Sequence, residues 1–140
     1  MSEIDDIISD FELLGDWEDR YQYLAELGDR LPPMPESLRT EDNRVKPCMS
    51  QIWVSAYLKS DPQGGVGYHG DCDTAIIKGV LALLIGLFDD KTPGQVLELD
   101  VDHLFEGLQL AEHLSPNRHV GIYAIVEVMK AQAAALENPA

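Results

Sequence analysis

The run from Ala75 to Phe88 constrains this chain more than any other segment. Ile76, Ile77, Val80, Leu81, Leu84, Ile85 and Phe88 cover most of a helical circumference, and a helix that is apolar nearly all round has to be buried. The run contains Lys78 and falls short of the roughly 20 residues a bilayer needs, so it reads as a core helix rather than a membrane span. Everything else must pack around it. At 140 residues, with 45% apolar and 25% charged content, the chain has the size and ordinary globular composition for one core, and residues 1–140 are expected to form a single soluble domain.

The segments that flank this helix carry their own periodicities. Ile4, Ile7, Ile8, Phe11 and Leu14 recur at helical steps up to Gly15, and Trp17, Tyr21, Leu24 and Leu27 mark a second helix that Asp16 caps and Gly28 closes. Leu31-Pro-Pro-Met-Pro35 cannot be helical throughout and reads as an extended connector. From Gln51 to Ser60 the period falls to two, with Ile52, Val54, Ala56 and Leu58 on one side, which predicts a strand. Asp61-Pro-Gln-Gly-Gly65 supplies a turn, and Val66 and Tyr68 return as the second strand of a hairpin. A third strand is sought near Arg39 to Asp42 or Arg44 to Pro47.

Asp71 or Asp73 stands where it can cap the apolar helix. Thr92-Pro-Gly-Gln95 is a capping box with proline at the first helical position, and Ser115-Pro116 repeats that start ahead of Ile122, Ile125, Val126 and Met129. Helices are expected near Pro93 to Leu97, Val101 to Gly107 and Pro116 to Leu136. The economical assembly is α+β: a small antiparallel β-sheet packed with helices.

Charge excludes several functions. Asp and Glu number 25 against 10 Lys and Arg, a net charge of −15, which repels nucleic acid and anionic membrane. Early acids from Glu3 to Asp19, offset by Arg20, read as a solvated helical face. The N-terminus lacks the positive start and apolar stretch of a secretory signal, so a cytoplasmic location is expected. No P-loop, GxGxxG, HExxH or GxSxG occurs.

Two cysteines remain for chemistry. Cys48 follows Arg44 and Lys46 closely, with Arg39 upstream, and cations near a thiol favour the nucleophilic thiolate. Its bland alternative is a small apolar residue at a strand entrance. Cys72, between Asp71 and Asp73, reads first as packing at a helix start and second as a resolving thiol or metal ligand. His69, Asp71, Cys72 and Cys48 could form a tetrahedral metal site if the hairpin folds back, although the spacing matches no strong zinc signature. His103, His113 and His119 are scattered and suit polar or capping roles.

The segment from Glu41 to Trp53 resembles the active-site segment of the SufE family of sulfur acceptors, which typically reads asparagine-arginine-valine, two residues, cysteine, one residue, serine-glutamine-valine-tryptophan. Two further blocks are similar in the same order, Gly70 to Gly79 and His113 to Arg118. The likeness spans essentially the whole chain. It implies a SufE/IscU-like fold and a carrier that takes persulfide sulfur from a pyridoxal-phosphate-dependent cysteine desulfurase onto Cys48, stimulates that enzyme and delivers sulfur to an iron–sulfur cluster scaffold complex, with no cofactor or metal of its own. Whether such a sulfurtransferase-like carrier counts as an enzyme is a matter of definition, since sulfur enters and leaves on protein thiols.

The resemblance further implies that Arg118, Arg44, Lys46 and Ser50 support the thiolate or persulfide, and that Asp71, Asp73, Lys78 and His113 face the partner. Arg118 has a structural alternative as a salt-bridge partner of Asp71 or Asp73. Two positions depart from the family pattern: Pro47 replaces a glycine and stiffens the loop, and Cys72 stands where serine is common. A different reading is an iron–sulfur or zinc scaffold using Cys48, Cys72 and Asp73, although the late histidine-cysteine pair of the IscU family is absent.

Overall fold

The computed structural model describes residues 3–45, 51–60, 65–108 and 116–137. Helices α1 (Glu3–Leu13) and α2 (Trp17–Asp29) open the chain, followed by short 3-10 turns at Glu36–Leu38 and Glu41–Asn43. Strands β1 (Ile52–Leu58) and β2 (Val66–Cys72) form the hairpin, and α3 (Ala75–Phe88), α4 (Pro93–Glu98), α5 (Val101–Gly107) and α6 (Pro116–Glu137) complete the chain. The architecture is α+β, as expected from the patterning.

Helix α3 occupies the centre, with Ile77, Val80, Leu81, Leu83, Leu84 and Phe88 buried. It packs against α2, β2, α6 and α1. The α2–α3 crossing depends on two glycines. A β-carbon on Gly79 would fall 2.0 Å from the Leu24 carbonyl oxygen, and one on Gly28 would fall 2.9 Å from the Gly79 amide nitrogen. α2 closes at Arg30, whose amide meets the Gly28 and Leu27 carbonyls, so Gly28 stands in the last turn as its position suggested. The same glycine also gives α3 its close backbone approach.

At the other end of α2, Asp16 caps the helix by accepting from the Glu18 amide at 3.0 Å. Arg20, the lone cation among the early acids, reaches back to α1. Its Nε donates to the carbonyls of Leu14 at 2.6 Å and Phe11 at 3.1 Å, groups that a helix end leaves without partners. The guanidinium lies 5.1 Å from the ring centres of both Phe11 and Trp17.

The hairpin pairs Ile52 with Cys72 through Leu58 with Val66. Ile52, Val54, Tyr68 and Cys72 are buried toward the core, and the Tyr68 hydroxyl donates to the Met129 carbonyl at 2.8 Å. No third strand forms among the described residues. Glu41–Asn43 takes a 3-10 turn capped by the Thr40 side chain, and Arg44 makes only a single antiparallel bridge to Trp53. The outer edge of β1 is stopped by a side chain instead. Gln132 of α6 donates to the Val54 carbonyl at 2.8 Å and accepts from the Ala56 amide at 2.9 Å.

Neither Asp71 nor Asp73 caps α3. Thr74 occupies the cap position without a side-chain hydrogen bond to the helix, its hydroxyl donating to the Asp73 carboxylate. The Thr92–Gln95 capping box forms as the sequence predicts, at 3.2 and 2.9 Å. Ile122, Ile125, Val126 and Met129 of α6 are buried, also as predicted.

Candidate functional site

Cys48, Lys46, Pro47, Ser50 and His113 lie outside the described residues, as does the side chain of Arg118, whose backbone belongs to the first turn of α6. What the structure builds is the frame on either side of the Cys48 segment. The Val45 amide donates to the Ile52 carbonyl at 2.8 Å, and the Arg44–Trp53 bridge lies one step further out. The two ends of the segment are thus held side by side.

A second clasp comes from the far strand. The Asp73 amide donates to the Gln51 carbonyl at 3.1 Å, and the Gln51 amide donates to the Asp73 carboxylate, also at 3.1 Å. The Thr74 hydroxyl donates to the same carboxylate at 3.2 Å. Asp73, one of the two aspartates expected to cap α3, fixes the backbone three residues after Cys48. Antiparallel pairing explains its position, since Asp73 continues the β2 register opposite Gln51.

Asp71 sits directly opposite Trp53 in the register, with its side chain 16% exposed. It receives Arg39 at 2.5 Å and Lys78 at 3.2 Å, and its carboxylate also accepts the Cys72 amide at 2.8 Å. The Arg39 guanidinium lies 5.6 Å from the Trp53 ring centre. Two cations thus share one partly buried carboxylate beside the aromatic residue that follows the Cys48 segment. Asp71 and Lys78, both expected at the partner face, are brought together here. By sequence alone Arg39 is only a cation upstream of Cys48. Nothing local announced its pairing with Asp71, which lies across the hairpin.

Arg44 does not stand free beside the thiol segment. Its guanidinium meets Glu41 at 3.5 Å, a mostly exposed pair one turn apart. Cys72 is buried, 6% exposed, and its Sγ accepts from the Thr74 amide at 3.4 Å. This favours packing over a resolving or metal-ligand role for Cys72, at the end of β2 rather than at the helix start the sequence suggested. The pleat puts Cys72 on the core side, while His69 and Asp71 share the opposite face, so β2 does not present the three together as ligands. His69 lies against Tyr57, ring centres 4.9 Å apart. Among the described residues no group of three or more histidine, cysteine, aspartate or glutamate side chains gathers in a way that could hold a metal ion.

A cleft of about 380 Å³ opens farther along the hairpin, lined by the proline connector, Tyr57, Tyr68, His69 and Gly70, and the outward side of α3. The sequence marked the connector as extended but gave no sign that it walls a cavity.

With this geometry in view, comparison with known proteins is informative. A family model described as SufE, Fe-S metabolism associated domain, matches residues 5–133. An uncharacterized SufE-like protein of Rhizobium meliloti is 36% identical over 134 residues, covering 95% of this chain and 96% of the relative. An uncharacterized SufE-like protein of Rhizobium etli is also 36% identical over 134 residues, covering 95% of this chain and 90% of its own length. The solution structure of a hypothetical protein from Thermus thermophilus superimposes with a TM-score of 0.76 at 25% identity, covering 98% of each chain.

Proposed function

Because the chain belongs to the SufE family, whose domain is associated with iron–sulfur metabolism, we propose that it is a cytoplasmic sulfur carrier that accepts persulfide sulfur from a pyridoxal-phosphate-dependent cysteine desulfurase on Cys48, stimulates that enzyme, and passes the sulfur to an iron–sulfur scaffold complex. The observation that carries the choice of thiol is the burial of Cys72. Of two cysteines, that one is packed into the core with its sulfur accepting a backbone amide, which leaves Cys48 to meet a partner.

The chemistry is thiol–persulfide exchange. The Cys48 thiolate attacks the outer sulfur of the donor's persulfide; a sulfur–sulfur bond forms at Cys48 as the donor's sulfur–sulfur bond breaks, and the donor's cysteine leaves as a thiolate. No external oxidant or reductant is consumed, and delivery to the acceptor repeats the exchange in the opposite sense. The frame supports this role by pinning both ends of the Cys48 segment through Val45, Ile52, Gln51 and Asp73, so that partner binding can act on a short length of chain without unravelling the hairpin. Arg118, Lys46 and Ser50 are proposed to steady the sulfur anion, and Asp71, Lys78 and His113 to border the docking face.

The scaffold alternative has less support, since Cys72 is buried and the Asp73 carboxylate is committed to Gln51 and Thr74. The deciding experiment is mass spectrometry of the protein after incubation with a cognate desulfurase and cysteine. One added sulfur on the Cys48 peptide is the expected result, abolished in Cys48→Ser and retained in Cys72→Ser. An unmodified Cys48 while the desulfurase turns over would overturn the carrier role.

A further inference from the structure

Main-chain groups on a sheet edge need a partner or water, and an edge left open is a template for another strand. In this two-stranded sheet several of the outward groups on each edge have partners. On β1, the Ile52 carbonyl accepts from Val45, and Gln132 takes the Val54 carbonyl and the Ala56 amide. On β2, the Val66 amide donates to the Lys91 carbonyl at 2.8 Å and the Val66 carbonyl accepts from the Asp90 amide at 3.0 Å. At the far end, the Cys72 amide donates to the Asp71 carboxylate.

Because Val66 directs its main-chain groups away from β1, the alternation of an antiparallel strand directs those of Tyr68 and Gly70 the same way. Among the described residues, no partner meets the outward amide or carbonyl of either residue. Both residues are buried among their neighbours, Tyr68 at 6% exposure, and both line the cleft described above. Three residues of the opposite wall, Pro32, Pro33 and Pro35, have no amide hydrogen to donate.

The charge on the lining is specific as well. Asp89 lines the cleft but is held by Lys59 at 2.8 Å, whereas Arg30, the lysine or arginine of the lining, has no carboxylate partner among the described residues. We propose that the Tyr68–Gly70 edge accepts an extended segment of a partner protein as an added strand, with apolar side chains against the prolines and α3 and an acidic side chain reaching Arg30. The proposal does not depend on the carrier reading.

The test uses the full chain labelled with nitrogen-15 and, as probe, the acetylated and amidated hexapeptide Val-Thr-Val-Glu-Val-Thr. Its controls are the fully N-methylated peptide and the version with glutamine for glutamate. At saturation, hydrogen exchange at the Tyr68 and Gly70 amides is expected to slow by about tenfold or more, with no slowing by the N-methylated peptide. Arg30→Glu is expected to weaken the glutamate peptide by about threefold or more, with little change for the glutamine peptide. Unchanged exchange with the glutamate peptide, or equal slowing by the N-methylated one, would overturn the proposal. So would protection already present in the dilute free protein, which would place a segment of this chain on the edge, or protection that rises with protein concentration alone, which would place a second copy there.

Discussion

At Gly79 the two central helices come so close that a methyl group has no room, since the obstacle is the backbone carbonyl of Leu24 rather than a side chain that could turn aside. Gly79→Ala is expected to destabilise the fold by about 3 kcal/mol, read as a lower urea midpoint with an unchanged slope. Gly94→Ala, where a β-carbon would meet nothing within 4 Å, serves as the tolerated comparison. Ionisable residues give a second expectation at this scale. The Tyr123 hydroxyl donates to the Asp102 carboxylate, which with some burial pushes the phenol up to about 12. Burial raises the Tyr68 phenol as well, and Asp89 and Asp90 raise the Lys59 ammonium. In each case the folded state holds its proton longer than the unfolded chain, so the contribution to stability is complete below the ordinary value near 10 and is lost as pH rises through the raised folded values. A urea midpoint that falls above that pH, with Tyr123→Phe losing part of the dependence, is the expected result. An unchanged alkaline profile in Tyr123→Phe would count against the Asp102 hydrogen bond as its source.

Among the elements, the hairpin shows how far a local pattern carries. The alternation from Ile52 to Leu58 and the return through Val66 and Tyr68 were legible, because one face must be buried and the period of two fixes which residues face it, whereas the extension of β2 to Cys72, read as a helix start, was not. The absence of a third strand in the described residues was not legible. A glutamine some eighty residues away replaces it on the β1 edge, and no local signal in β1 announces such a contact. Gln132→Ala is expected to cost about 1–3 kcal/mol by leaving the Ala56 amide and Val54 carbonyl without this partner, and to speed hydrogen exchange at Ala56 above the rest of the strand. Unaltered exchange there would show that the side-chain clamp does not hold the edge. Helix starts divide in the same way. Thr92 and Gln95 satisfy one another within four residues and could be read directly, whereas Asp71 and Asp73 look like caps until the hairpin register places Arg39, Lys78 and Gln51 beside them.

For the molecule as a whole, 25 acids face 10 basic residues, so even complete pairing leaves an excess of 15 negative charges. Mutual repulsion opposes compactness, and salt shortens its range to about 8 Å at physiological ionic strength. Raising sodium chloride from low to moderate concentration is therefore expected to raise the urea midpoint, whereas a falling midpoint would mean that attractive pairs such as Lys59 with Asp89 and Asp90 outweigh the repulsion. Asp71→Asn tests the most concentrated pairing. With Arg39 and Lys78 both partly buried against one carboxylate, it is expected to cost about 1–2 kcal/mol, between the exposed and buried limits.

The sequence by itself determined the apolar central helix, the hairpin, the helix starts at Asp16 and Thr92 and the block around Cys48, because each is a relation among residues a few positions apart, fixed by backbone geometry and side-chain type. Only the tertiary structure decided that Gly28 and Gly79 carry a helix crossing, that Asp73 fastens the end of the Cys48 segment, that Cys72 belongs to the core, and that the Tyr68–Gly70 edge opens into a cleft. Those are contacts between elements distant in the chain. They arise from burying α3 on several sides at once, a condition no local window of residues encodes.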